Sequence, residues 1–143
     1  MDKLSEKLAV VATIDPDAYV SGVITTDWVD MDNFYDVLFI ALLGTGVTTG
    51  SFNLLIQEAR LANGSGSQSI SGKAITTLTT GDNDSQALVH VRAADLSQGY
   101  SFVRGQSLLS GAGADFAVIA IAGRPRHHPA SNFDLASVAE IID

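Results

Sequence analysis

The sequence predicts an all-β domain, an antiparallel β-sandwich or jelly roll of about seven to eight short strands with short N- and C-terminal arms or helices. Three observations carry this. Short apolar runs are separated, every ~10–15 residues, by turn-rich segments: Gly44-Thr45-Gly46, Asn63-Gly64-Ser65-Gly66-Ser67, Gly81-Asp82-Asn83-Asp84 and Gly111-Ala112-Gly113. Several runs alternate, as Phe52, Leu54 and Ile56 do against Ser51, Asn53, Leu55 and Gln57, a mostly half-buried pattern. No long helical pattern separates the strands, as a parallel α/β fold would require. With 143 residues, no internal repeat and no linker, the chain reads as a single domain.

Residues 1–19 read as an N-terminal arm. Leu4, Leu8 and Val11 fall at spacings of four and three, on one stripe if helical. Asp2, Ser5 and Glu6 suit the start of such a helix, and Asp15-Pro16 ends it, because the residue before proline is pushed out of the helical region. The stripe packs on its own core or reaches a neighbouring chain.

Residues 20–123 read as the sandwich core, with strands at 20–26, 35–43, 50–59, 74–79, 87–93, 100–109 and 114–123, and an eighth at 27–31. In 87–93, Val89 and Val91 lie on one face and Leu88, His90 and Arg92 on the other. Segment 35–43, apart from Asp36, and segment 116–122 are apolar, the pattern of central strands covered on both faces.

Residues 124–143 read as a C-terminal arm. Arg124-Pro125-Arg126-His127-His128-Pro129 carries two prolines and should run extended. Ser131 or Asn132 then caps a short helix bearing Phe133, Leu135, Val138 and Ile141 or Ile142. This apolar tail either folds back on its own sandwich or lies across a neighbouring subunit.

Composition narrows the function classes. The chain has no cysteine, which excludes disulfides, a thiol nucleophile and cysteine-based metal sites. A net charge of −8 and a pI near 4.5 argue against nucleic-acid coating, which needs a basic footprint. Charged residues make up only 17% while hydrophobics reach 46%, and the mean hydropathy is +0.24, a balance that fits a protein hiding part of its surface against other chains. The opening lacks the cationic and apolar regions of a signal peptide, and no apolar run approaches the ~20 residues of a membrane span, so no membrane partner is expected.

No motif specifies catalysis. Gly44-Thr45-Gly46-Val47-Thr48-Thr49-Gly50 lacks phosphate-loop spacing and precedes a strand, so it reads as a hairpin loop. Gly64-Ser65-Gly66 and Ser110-Gly111 are not nucleophile elbows. His90 sits in a strand, and the adjacent His127 and His128 point apart in an extended chain, so surface or interface histidines are expected rather than a metal set. Asp82-Asn83-Asp84 has the opening spacing of a calcium loop without its glycine or its glutamate. Asp27, Asp30, Asp32 and Asp36 form an acidic cluster, weighed as a glycosidase pair or calcium site against acidic residues at a bend. Arg124 and Arg126 are the concentrated positive charge and suit carboxylate contacts, with that acidic cluster on a neighbouring subunit as the candidate partner. No catalytic residue, cofactor or metal is predicted.

Several phrases carry a resemblance. Lys3-Leu4-Ser5-Glu6-Lys7-Leu8-Ala9-Val10-Val11-Ala12-Thr13-Ile14-Asp15-Pro16, Val29-Asp30-Met31-Asp32-Asn33-Phe34-Tyr35-Asp36-Val37-Leu38-Phe39-Ile40 and Ile70-Ser71-Gly72-Lys73-Ala74-Ile75-Thr76 resemble small structural proteins of tailed phages. So do 86–94, 100–105, and 129–138. The chain is most similar to capsid decoration (cement) proteins, including those of short-tailed cyanophages. That resemblance implies a non-enzymatic homotrimeric β-sandwich on the outer capsid surface of a virion. Assembled in the host cytoplasm, it would bridge subunits of the phage major capsid protein. It supplies no catalytic residues. The candidate contact residues are Leu4, Leu8, Val11, Trp28, Arg124, Arg126, His127, His128, Phe133, Leu135, Val138 and Ile141. The alternatives are a head–tail connector or tail component, or a carbohydrate-binding β-sandwich using Trp28, Tyr19, Tyr35 or Tyr100 as platforms.

Overall fold

A computed structural model describes residues 3–45, 47 and 49–143. Asp2, expected at a helix start, and Gly46 and Thr48 of the Gly44–Gly50 loop lie outside the described residues. The described residues form nine strands: β1 (Leu8–Tyr19), β2 (Gly22–Thr25), β3 (Val29–Asp30), β4 (Phe34–Leu43), β5 (Phe52–Ala59), β6 (Gln68–Ala74), β7 (Gln86–Arg92), β8 (Phe102–Leu109) and β9 (Ala114–Pro125). One sheet has the order β1-β9-β4-β7 and the other β2-β8-β5-β6, with the two-residue β3 also on β8; every pairing is antiparallel. Successive strand pairs 1/2, 4/5 and 6/7, and 8/9, split between the sheets, which is jelly-roll connectivity. The predicted fold class is the one observed.

The two inner faces form the core. Val37, Phe39, Ala41, Val91, Val118 and Ala120 of the first sheet meet Phe52, Leu54, Ile56 and Val103 of the second. Phe116 joins the sheets, its ring 4.7 Å from Tyr19 and 4.9 Å from Phe52.

Three expectations are corrected. The helical stripe through Leu4, Leu8 and Val11 does not exist: the helix spans Leu4–Lys7 and the chain enters β1 at Leu8. The run Val10-Val11-Ala12-Thr13-Ile14 gains more by pairing along the apolar β9 than a short isolated helix would gain from its caps. Register shifts between Val10 and Ala12 and between Ile14 and Asp17 turn Val11 and Ala12 both inward, and the second lets Pro16 sit in an edge strand.

The strand expected at 74–79 lies earlier, at Gln68–Ala74. Its Gly- and Ser-rich sequence carries little strand signal, and β5 supplies the ladder. Residues 75–78 still run beside β5, with the Ile75 N–H on the Leu54 carbonyl at 3.0 Å and a bridge between Phe52 and Leu78. The C-terminal helix is a single 3-10 turn, Ala130–Phe133. Beyond it, the Leu135 N–H donates to the Val10 carbonyl at 2.9 Å, and Asp134 accepts from the Val10 N–H at 2.8 Å. The tail thus closes part of the open edge of β1.

Asp95 clips the sheets together at their other edge. It accepts the Arg92 N–H of β7 at 2.8 Å and lies 3.4 Å from Lys73 of β6, whose ammonium also donates to the His90 carbonyl at 2.8 Å. The Arg92 N–H, opposed by partial burial and helped by the Arg92 and Lys73 side chains, lowers its carboxyl from 3.8 to about 2. A carboxylate with a depressed folded pKa adds stability above its unfolded value and loses it as pH falls through the folded one. Asp95→Asn should therefore be less stable at neutral pH and should lose less than the native chain between pH 4 and 2, as read by urea titrations at several pH values.

Candidate interaction surface

The pleat gives the sheet β1-β9-β4-β7 an unusual outer face. With Val37, Phe39 and Ala41 turned inward, β4 sends Leu38, Ile40 and Leu42 outward. Likewise β9 presents Ala117, Ile119 and Ile121, and β7 presents Leu88 and His90. The register makes these neighbours. Leu38 lies between His90 and Ile121, Ile40 between Leu88 and Ile119, and Val10 of β1 opposite Ile121. Leu88 is 57% and Leu42 43% exposed, while Ile40, Ile119 and Leu38 are partly exposed. The outer face of the second sheet is ordinary by comparison. There Asn53, Gln57, Arg104 and Gln106 are interleaved with Leu55 and Leu108, and Arg104 Nε donates to Gln57 at 2.9 Å.

The apolar face has differently charged ends. Where β4 begins, Asp36 accepts from Arg124 Nε and pairs with His90 Nε2 at 2.8 Å. The Arg124 hydrogen bond holds the Asp36 carboxyl below its ordinary value, against partial burial and with help from His90. The Arg126 guanidinium lies 4.0 Å from the centre of the Tyr35 ring and that of Arg124 5.6 Å. Lys7, Tyr35, Arg124 and His128 line a groove of about 430 Å³ at this end. Where β4 ends, a second groove of about 550 Å³ is bordered by Leu42, Ala117, Asp17 and Asp115. Asp17 accepts the Ala18 N–H at 2.7 Å, and Asp115 accepts from Thr45 at 3.4 Å. Arg124 lies nine positions along β9 from Asp115, roughly 30 Å of strand.

The residues singled out from sequence fall into separate places. Leu4, Leu8, Val138 and Ile141 converge with Val10 and Ile121 on a groove of about 280 Å³ over the β1 edge of the apolar face. Phe133 packs edge-on to Phe34 at 5.3 Å, and Leu135 is hydrogen-bonded to β1. Val11 points into the core, away from Leu8. Arg124 and Arg126 share Tyr35; His128 borders their groove, and His127 is exposed in the same segment. Trp28 lies on the other sheet, with Arg104 4.5 Å from its ring centre and Gly64 so close that a Cβ there would fall 2.8 Å from the indole nitrogen. The expected pairing of Arg124 with the acidic cluster is intramolecular, to Asp36.

Sequence reasoning missed Leu38, Ile40, Leu42, Leu88, Ile119 and Ile121 as a surface. Their signal is present in the apolar segments 35–43 and 116–122, whose pattern reads equally as strands covered on both faces. Glu58 was missed as well: it is 1% exposed and ties the loop at Ser97 to β5.

Among the described residues no three His, Asp or Glu side chains converge to hold a metal ion, and no helix is long and apolar enough to cross a membrane. The aromatic residues considered as sugar platforms are already engaged. Tyr100 is stacked by Arg60 at 4.5 Å, Tyr35 by Arg126, Trp28 by Arg104, and Tyr19 packs on Phe116.

The sequence matches no protein-family model and no curated relative. Solved structures similar in fold include the following three. A chain of the infectious bursal disease virus Gt strain structure has 13% identity and a TM-score of 0.48, covering 87% of this chain and 35% of its own. This chain therefore spans about a third of that viral chain. The xylan-binding module CBM15 has 10% identity and a TM-score of 0.40, with 76% of each chain covered. A chain of the Bacillus endospore appendages, disulfide-linked pili, has 12% identity and a TM-score of 0.40, covering 86% of this chain and 96% of its own. Likenesses this distant carry no argument about function.

Proposed function

We propose that this chain is a non-enzymatic structural protein of a virion, a capsid decoration (cement) protein. In this reading it sits on the outer shell as a homotrimer and reinforces contacts between major capsid subunits. The observation that supports it is the apolar outer face. β4 and β9 have the sequence of strands covered on both sides, and their own chain covers one. A surface of this kind is stable in an assembly, where burying it contributes roughly 25 cal/mol per Å² of apolar area. The sequence resemblance to phage decoration proteins favours a location on the shell, and the net charge of −8 suits a surface away from the packaged nucleic acid. Many copies on one shell would turn modest contacts into large mechanical reinforcement.

The test is mass spectrometry and immunogold labelling of gradient-purified particles from the source. The expected result is this chain at high copy number with label spread over the capsid. Label confined to one vertex or to the tail would transfer the proposal to a connector or tail component. Absence from intact particles would overturn it.

A further inference from the structure

We infer that the occupant of the apolar face is a second copy of this chain, laid so that the cationic end of one face meets the anionic end of the other. The inference rests on the proposed self-assembling role and names the partner for one surface. Four strands at ~4.8 Å spacing and about six residues of length make an apolar area on the order of 400 Å², and the charged ends extend it toward the ~800 Å² per partner of a standard interface. An apolar centre of that size flanked by opposite charges is self-complementary when the copies are reversed.

The polarity is specific. Arg124, Arg126 and Lys7 stand at one end of the strands, where Asp36 offsets part of their charge, and Asp17 and Asp115 stand at the other. The chain as a whole carries −8, so a cationic end is a local departure from its surroundings and an acidic end of another copy is its nearest chemical match. The geometry also selects an arrangement. About a two-fold axis the opposed faces run antiparallel. About a three-fold axis, strands running around the axis join unlike ends at every junction, whereas strands along the axis would crowd like charges together. Full face-to-face burial closes at two copies, so within a trimer the same polarity acts end to end, with the strands running around the axis.

Sedimentation velocity and light scattering on the full chain, over a range of concentration and at low salt, test this. The native chain should exceed its 15.0 kDa monomer mass, and added salt should weaken the association. Leu88→Lys, on an exposed edge-strand position, should give a monomer whose melting temperature in the monomeric form is unchanged. Asp17→Arg with Asp115→Arg should weaken association at least about tenfold, and so should Arg126→Glu with Lys7→Glu. Neither pair removes the internal Arg124–Asp36 contact. Combining all four changes swaps the two ends and should restore association. That recovery separates charge matching from misfolding, because a damaged fold would be damaged further.

A native chain that stays monomeric, a Leu88→Lys variant of unchanged mass, or a swapped variant that fails to recover while still folded by circular dichroism would each overturn the inference. The two readings fail separately. A chain that self-associates through this face yet is missing from particles refutes the virion role alone, and a monomeric chain found on capsids refutes the self-docking alone.

Discussion

Phe116→Ala is expected to destabilise the chain by about 3–5 kcal/mol, lowering the melting temperature by roughly 10–20 °C. Phe116 lies on β9, the central strand bonded to both β1 and β4, and is 3% exposed. Its ring touches Tyr19 at the far end of β1 and Phe52 at the start of β5, so it links both sheets at one end of the sandwich. Truncation removes transfer free energy and two ring contacts together, and leaves a cavity that a backbone bonded on both sides cannot collapse to fill. Differential scanning calorimetry of the variant checks the size of the loss. A shift of only a few degrees would mean that the two sheets are held together mainly elsewhere.

Glu58→Ala is the second large effect, a loss of about 2–4 kcal/mol. The Glu58 carboxylate accepts from the Ser97 N–H at 2.8 Å, the Ser97 hydroxyl at 2.6 Å and the Gln68 amide at 2.7 Å. Alanine would strand all three donors beside a buried void. Burial pushes the Glu58 carboxyl up, but the bonds from Ser97 and Gln68 together outweigh it, and the net shift is downward from 4.5. The sign follows: the folded pKa is the lower one, so this carboxylate stabilises above pH 4.5 and the contribution is lost as pH falls below it. The difference in stability between the native chain and Glu58→Ala should thus be largest near neutral pH and should shrink below pH 4.5. A difference independent of pH would show that packing, not the charged hydrogen bonds, sets the cost.

Glu58 marks a limit of reading by pattern. It occupies an inward position in a strand whose neighbours Leu54 and Ile56 alternate correctly, yet a charged residue at such a position carries no sign of its donors. Those come from Gln68 on a neighbouring strand and Ser97 in a loop 39 residues away. β6 was displaced for a related reason. Its Gly- and Ser-rich sequence has low strand propensity, and only the ladder offered by β5 makes it a strand. The N-terminal stripe shows the opposite error, in which a helical spacing of three leucine-like residues was real in sequence but outweighed by pairing with β9.

Local chemistry alone determined that this chain is an all-β, antiparallel sandwich: turn residues at short intervals and the two-residue period act within a few positions and need no knowledge of partners. It also determined that the segments of β4 and β9 are central, since their apolar side chains on both faces would be costly at an edge. Only the tertiary structure decided which face of those strands remains uncovered, because that depends on where the second sheet and the C-terminal tail come to lie. The same holds for the pairing of Arg124 with Asp36 and the gathering of Asp17 and Asp115 at the opposite end. Residues far apart in the chain become neighbours through sheet register, and register is set by the sum of many weak pairings that no single segment contains.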